Sequence, residues 1–340
     1  MSATINLEKK HFPVLLDEII KIISPRYSGT FLDCTFGQGG YSEKILENAN
    51  NKVIAFDRDI IAKELSIKFK NIFKDRFYFN HKKFSEIKNI NKKDIKAIIF
   101  DLGYSKEQVT DKEKGLSFNH KGKLNMKMGL NSISANEIIN NLGEKELTKI
   151  FRVFGEENSG KNISKKINSF RKKKNIQTED LVNIINSVKK KKYSKIHNAT
   201  KVFQALRIIV NNEISELIYG LINSFKILPI GGMIVIVTFH SIEDKIVKFF
   251  LKNYSENTKV SRYLPLKDEK KSLFKLINKK PILPSKKELK LNPASRSAKL
   301  RYGIKINHNY DFSEFINKFN YLLETESLYK KIWKKFFFHS

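Results

Sequence analysis

The stretch Phe31-Leu32-Asp33-Cys34-Thr35-Phe36-Gly37-Gln38-Gly39-Gly40-Tyr41-Ser42 decides how this chain folds. It reads as a short apolar strand, a glycine-rich turn and a helix that begins near Ser42. Without Cβ atoms at Gly37, Gly39 and Gly40, the backbone can come close to a ligand. The following helix would aim its free N–H groups at the same spot. A second strand, Lys52-Val53-Ile54-Ala55-Phe56, ends in Asp57. An acidic residue about 20 positions after such a turn commonly grips ribose hydroxyls.

The glycines alone are compatible with two readings, a ligand cradle and an ordinary tight turn. Gly37-x-Gly39-Gly40 lacks the G-x-G-x-x-G spacing of a dinucleotide pyrophosphate site. Asp33, just before the turn, would repel a pyrophosphate and suits an ammonium. S-adenosylmethionine carries a ribose and an ammonium but no phosphate, and it fits this pattern.

Outward from the turn, strand and helix signals alternate. Strands are expected at Thr30–Asp33, Val53–Asp57, Phe77–Asn80 and Ala97–Asp101. Such alternation predicts a parallel sheet covered on both faces, with ligands beyond the strands' carboxyl ends. Asp33, Asp57 and Asp101 all fall at those ends. From about Lys106 to Asn198 the sequence turns helical and lysine-rich, with helical spacing at Ile138–Phe154 and Thr178–Val188 and a break at Gly143. Basic runs at Arg171–Lys174 and Lys189–Lys192 suggest a substrate-facing patch. The α/β pattern resumes with one long helix, Thr200–Leu228, and a strand at Met233–Phe239. A hairpin of Ile282–Pro284 with Ser297–Ile306 is expected to close the sheet.

Among the 340 residues, 65 Lys and Arg oppose 35 Asp and Glu, a net charge of +30. That excess points to a polyanionic partner, RNA or the ribosome. Cys34 is the only cysteine, which excludes an internal disulfide and a thiolate metal cluster; no metal site is expected. There is no signal-peptide pattern, and no apolar run approaches about 18 residues, so a soluble, cytoplasmic protein without a membrane partner is expected.

Further blocks accompany the turn: His11-Phe12-Pro13-Val14-Leu15-Leu16-Asp17-Glu18, Asp101-Leu102-Gly103-Tyr104-Ser105 with Gln108, and Phe203-Gln204-Ala205-Leu206-Arg207-Ile208-Ile209-Val210-Asn211-Asn212-Glu213. Phe239-His240-Ser241-Ile242-Glu243-Asp244-Lys245 and Asn292-Pro293-Ala294-Ser295-Arg296-Ser297-Ala298-Lys299-Leu300-Arg301 follow. In this order, residues 8–306 closely resemble the bacterial 16S rRNA cytosine-N4 methyltransferase H family, also called MraW. The resemblance implies a class I S-adenosylmethionine-dependent methyltransferase fold, Rossmann-like with a mostly parallel sheet, carrying an inserted all-helical substrate domain. It also implies N4-methylation of the decoding-centre cytidine 1402 of 16S rRNA in the small ribosomal subunit, with the assembled subunit preferred over naked RNA.

The expected layout is a discontinuous methyltransferase domain (1–105 and 199–308), the insert (106–198) and a helical basic and aromatic extension (309–340). Carried over by position, Gly39, Gly40, Tyr41, Asp57, Phe84, Asp101 and Gln108 would bind the cofactor. Tyr41 stands where the family typically has His, and Asn125 where it usually has Asp. His197-Asn198-Ala199-Thr200-Lys201 replaces a usual Pro and Arg.

His240 and Glu243 are candidates for positioning the base or relaying its proton, and His240 is equally readable as a structural histidine. Ser241-x-x-Asp244 also fits a helix cap. Arg207 and Asn211, one turn apart, are candidates for RNA contact or for bracing the insert against the sheet. In the tail, Phe312, Phe315, Ile316, Phe319 and Leu323 have helical spacing, and Trp333 with Phe336–Phe338 ends the chain. A docked helix and an RNA-stacking contact are the two readings there. Two other classes compete: a binding-only ribosome-assembly factor, and a nicotinamide-dependent oxidoreductase, which the missing pyrophosphate pattern and the charge disfavour.

Overall fold

The computed structural model describes residues 13–25, 28–90, 94–119, 122–131, 133–189, 196–255 and 272–332. His11, Phe12, Lys190–Lys192, Trp333 and Phe336–Phe338, all singled out above, lie outside the described residues. The chain divides into two compact units. The first comprises residues 1–103 and 216–317, the second 104–215 and 318–340.

The first unit is built on a seven-stranded sheet of β1 (Gly29–Asp33), β2 (Asn51–Asp57), β3 (Phe77–His81), β4 (Ile95–Asp101), β5 (Met233–Thr238), β6 (Phe274–Lys275) and β7 (Lys299–Lys305), in the order β3-β2-β1-β4-β5-β7-β6. β1 to β5 pair in parallel, and β7 runs antiparallel to both β5 and β6. The central strands read as nearly unbroken apolar runs because helices cover both faces. All five residues of β1 are buried. This is the class I methyltransferase arrangement that the sequence resemblance implies.

In chain order the helices are α1 (Leu16–Ile23), α2 (Gly40–Leu46), α3 (Ile60–Phe73), α4 (Lys106–Thr110), α5 (Ala135–Asn141), α6 (Glu144–Gly155) and α7 (Gly160–Phe170). They continue as α8 (Thr178–Val188), α9 (Thr200–Asn211), α10 (Glu213–Ile227), α11 (Ser241–Asn253), α12 (Lys286–Leu291) and α13 (Ser313–Glu326). Phe36, Phe69, Phe73 and Phe77 are buried together beneath the glycine turn, with Phe36 edge-on to Phe69 at 5.0 Å. Burying each such ring contributes about 1.5–3 kcal/mol, so the turn rests on a rigid floor.

The second unit is helical in α4–α9. Leu147, Ile150, Phe151 and Phe154 on one face of α6 are buried, as are Ile163 and Ile167 of α7 and Val202 and Leu206 of α9. Gly155 lets α6 approach α9, since a Cβ there would press on the Lys201 carbonyl. Residues 199–215, and with them α9, belong to this unit.

Three expectations are corrected. The single helix over Thr200–Leu228 is two helices. Asn212 adopts φ 53° between α9 and α10, and Asn tolerates that left-handed conformation better than most residues. Helical periodicity runs on through the break, so the sequence pattern conceals it.

The closing hairpin is also different. Ile282 makes only an isolated bridge to Leu300, Ser297 belongs to a 3-10 turn, and β7 pairs with the two-residue β6. The helix after the glycine turn starts at Gly40, two residues before Ser42. In the tail, Phe312 just before α13 and Phe315, Phe319 and Leu322 on it are buried, while Ile316 and Leu323 are half-buried, so one face of this helix is packed.

Candidate active site

The carboxyl ends of β1, β2 and β4 converge on the glycine turn of the first unit. Gly39 has φ 78°, and a Cβ there would run into the Phe69 and Phe36 rings, so glycine is required twice over. The Gly37 N–H donates to Asp57 Oδ2 at 2.8 Å, and the Asp59 N–H donates to Asp57 Oδ1 at 2.8 Å. Burial raises the Asp57 carboxyl pKa against the lowering effect of these two bonds. A carboxylate has about four acceptor sites, and these backbone bonds use two of them. Asp57 is thus locked in place with capacity left for hydroxyl donors.

Asp101 is tied to the same turn. Its N–H donates to Thr35 Oγ1 at 2.7 Å, and its Oδ1 accepts from the Gly103 N–H at 3.0 Å. The Tyr41 hydroxyl donates to the Val14 carbonyl and stands 3.1 Å from Asp101 Oδ2. Burial, then the Asp101 charge, hold the Tyr41 phenol well above its ordinary pKa. Tyr41 therefore acts as a neutral buried strut, and its ring is part of the core.

Asp33 differs from expectation. It is fully buried, its Oδ2 accepting from Ser42 Oγ at 2.7 Å and its Oδ1 from the Thr35 N–H at 3.3 Å. It braces the turn from below and does not present its carboxylate to a ligand's ammonium. Burial pushes its pKa up to about 7, the Asp57 and Asp101 charges adding to the rise while the Ser42 and Thr35 bonds oppose it.

Phe84 follows β3 and is half-buried. Its ring meets Phe100 edge-on at 5.3 Å and packs so close to α10 that a Cβ at Gly220 would strike it. The loop is held by residues the sequence reading missed. Glu216 Oε1 accepts from Ser85 Oγ at 3.0 Å, and Asn223 Nδ2 donates to the Ser85 carbonyl at 2.7 Å. These contacts span more than 130 residues of chain, so no local pattern could have announced them. Thr35, by contrast, sits inside the quoted turn, and its hydroxyl was legible as a candidate acceptor there.

At the end of β5, His240 and Glu243 are coupled. His240 is the N-cap of α11, its Nδ1 accepting from the Glu243 N–H at 3.5 Å. Glu243 Oε2 accepts from the Phe239 N–H at 2.8 Å and the His240 N–H at 3.2 Å, and Oε1 lies 3.0 Å from His240 Nε2. The cap thus falls one residue before the Ser241-x-x-Asp244 pair. Asp244 instead accepts from Arg301 Nε at 2.7 Å and Lys299 Nζ at 3.1 Å, joining α11 to β7.

The second unit carries the remaining candidates. Gln108 Oε1 accepts from the Ser105 N–H at 3.0 Å, closing a capping box at the start of α4. Arg207 is bidentate to Glu213, at 2.9 and 3.0 Å, and its guanidinium lies 4.4 Å from the centre of the Tyr104 ring. The Tyr104 hydroxyl donates to Glu213 Oε1 at 2.5 Å. Asn211 is fully buried. Its Oδ1 accepts from the Met128 N–H at 2.9 Å, and its Nδ2 donates to the Met126 carbonyl at 2.9 Å. It pins the Met126–Met128 segment within the second unit.

The basic runs divide similarly. Arg171 donates to the Ile139 and Leu142 carbonyls at the end of α5, Lys174 pairs with Asp180 at 2.8 Å, and Lys189 pairs with Glu157 at 2.7 Å.

Residues 8–306 match the model of the MraW methylase family. The ribosomal RNA small subunit methyltransferase H of Rickettsia bellii is 40% identical over 306 residues, covering 88% of this chain and all of the relative. The protein of the same name from Wigglesworthia glossinidia brevipalpis is 42% identical over 312 residues, again covering 88% of this chain and all of the relative. Among solved structures, an rRNA methylase from Streptococcus thermophilus aligns with a TM-score of 0.36 at 10% identity, over 86% of this chain and 96% of that one.

Proposed function

The chain belongs to the MraW methylase family, and on that premise we propose that it transfers a methyl group from S-adenosylmethionine to N4 of cytidine 1402 in 16S rRNA of the small ribosomal subunit. The observation that carries the cofactor reading is the Asp57 carboxylate, clamped over the glycine turn by Gly37 and Asp59 with acceptor sites to spare. Ribose hydroxyls are donors of the required kind. Gly39, Gly40 and Tyr41 would supply backbone close to the donor, Asp101 a second carboxylate, and Phe84 an aromatic face for the adenine. The place of Gln108 rests on the resemblance alone. When bound, S-adenosylmethionine supplies a methyl group made electrophilic by its sulfonium.

The protein's share of the chemistry is to hold a poor nucleophile. The N4 lone pair of cytosine is delocalised into the ring, so orientation at attack distance contributes most of what a site can add. His240 and Glu243 fix the backbone that follows β5, and we assign them to positioning the base's amino group and receiving its proton. The donor pocket must be reached by a base splayed out of the RNA stack. The +30 charge supplies the phosphate attraction, with affinity falling as salt rises. The working compartment is the cytoplasm, where small subunits are. Among the described residues, no helix is long and apolar enough to cross a membrane.

The test is methyl transfer from labelled S-adenosylmethionine to small subunits lacking the modification, with the product mapped by nuclease digestion and mass spectrometry. A single N4-methylcytidine at the decoding centre is expected. Tight subunit binding with no methyl transferred, or a methyl at another base, would overturn the proposal.

A further inference from the structure

The family fingerprint leaves the segment before α9 without a role, yet the second unit builds an ordered stack of rings there. Phe203, buried on α9, meets the half-buried Phe118 edge-on, with centroids 5.7 Å apart at 86°. Phe118 in turn lies parallel to His197, with centroids 4.3 Å apart at 8°. His197 is exposed. Its inner face is covered by Phe118, so the surface it offers to solvent is its outer face and edge.

The ring is not free to swing. His197 Nδ1 accepts from the Ala199 N–H at 3.2 Å, and the His197 carbonyl accepts from the Thr200 N–H at 3.1 Å. The first bond fixes the ring's orientation and places its proton on Nε2 when the imidazole is neutral. The loss of side-chain freedom that stacking would otherwise require is therefore already met in the folded protein. A flat, pre-oriented aromatic face on a helical unit rich in lysine suits a partner that is both planar and polyanionic. Unpaired RNA bases are recognised in this way, by stacking on aromatic and histidine rings.

We propose that the outer face of His197, backed by Phe118 and Phe203, is a stacking subsite for an unpaired nucleobase of the RNA substrate. It lies apart from the cofactor turn in sequence, and it rests on the reading of the protein as an rRNA methyltransferase. His197 acts here as a positioning residue that holds substrate RNA and takes no part in methyl transfer.

The experiment measures equilibrium binding of full-length protein to small ribosomal subunits and to protein-free 16S rRNA at several potassium chloride concentrations. The variants are His197→Ala, His197→Gln and His197→Phe. Gln keeps an acceptor for the Ala199 N–H without a ring, and Phe keeps the ring without the acceptor. His197→Ala and His197→Gln are expected to bind both RNAs about tenfold more weakly, from the usual worth of one base–aromatic stack. His197→Phe should stay close to wild type. The slope of affinity against salt should not change, because no phosphate contact is lost.

Equal binding by His197→Gln and wild type would overturn the proposal. So would a loss accompanied by a shallower salt slope, which marks a charge contact, or a loss seen on subunits but absent on protein-free RNA, which marks a ribosomal-protein contact. Should His197→Ala melt early, the Gln and Phe variants decide. Wild-type protein that binds neither RNA would remove the functional reading itself, and this proposal with it. Normal wild-type binding with unaffected variants would remove this proposal alone.

Discussion

Replacing Asp33 by Asn should stabilise the protein at alkaline pH and leave it almost unchanged in acid. Asp33 is wholly buried beneath the glycine turn, and burial pushes its pKa from an ordinary 3.8 to about 7. Between those two values the folded protein holds a proton that the unfolded chain has released. The stability this proton confers is fully present below pH 3.8 and is lost as pH rises through 7. The span corresponds to at most about 4 kcal/mol at pH 8.

Asn fits the same geometry. Its carbonyl can accept from the Thr35 N–H, and its amide can donate to Ser42 Oγ, because a hydroxyl can reverse its role. The assay is urea unfolding of wild type and Asp33→Asn at half-unit intervals from pH 5 to 8.5. Charges elsewhere titrate in both proteins and cancel in the difference, which should grow in favour of Asn from pH 5 to about 7 and then level off. Parallel curves, or a wild type more stable than the variant at pH 8, would refute the picture of a protonated carboxyl held inside the turn.

Four further outcomes are expected. Glu326 is buried against the start of α10, with a pKa pushed to about 7 by burial, and it accepts from the Ile214 and Ser215 N–H groups at 2.8 and 3.0 Å. Glu326→Gln should flatten the pH dependence in the same direction yet lose stability outright, because its amide nitrogen faces a donor; urea unfolding at pH 6 and 8 checks both. Asp57→Ala should weaken S-adenosylhomocysteine binding at least tenfold in a calorimetric titration while the melting temperature moves little; unchanged affinity would remove the ribose assignment.

Gly220→Ala gains about 1 kcal/mol of helix propensity but drives its Cβ into the Phe84 ring. Near-normal stability with weakened binding of the same ligand is expected, and unaltered binding would count against Phe84 as its partner. Asn211→Ala strips partners from the Met128 N–H and the Met126 carbonyl. At about 1–3 kcal/mol for each orphaned buried group, a melting curve should show a loss of several kcal/mol.

The alternation of strand and helix, the glycine turn and the acidic residues closing β1, β2 and β4 were all legible in the sequence. Each depends on interactions a few residues apart: side-chain alternation, apolar runs and the freedom of glycine. The family resemblance added the inserted helical domain and the cofactor positions proposed at Phe84 and Gln108. Folding decided what those residues face. Asp33 and Asp57 look alike as strand-end carboxylates, yet one is sealed beneath the turn and the other clamped above it.

The Phe84 loop is held by Glu216, Gly220 and Asn223, which meet it only once α10 packs against β4. Asn212 divides a helix whose apolar periodicity continues without interruption. His197 was legible only as part of an altered family segment, and it became a candidate for stacking only when Phe118 and Phe203 were brought beneath it. Local patterns are written in short-range sterics and solvation, and they are readable in one dimension. Burial, ion pairing and ring stacking between distant residues exist only when the chain returns on itself, so the tertiary structure alone decided them.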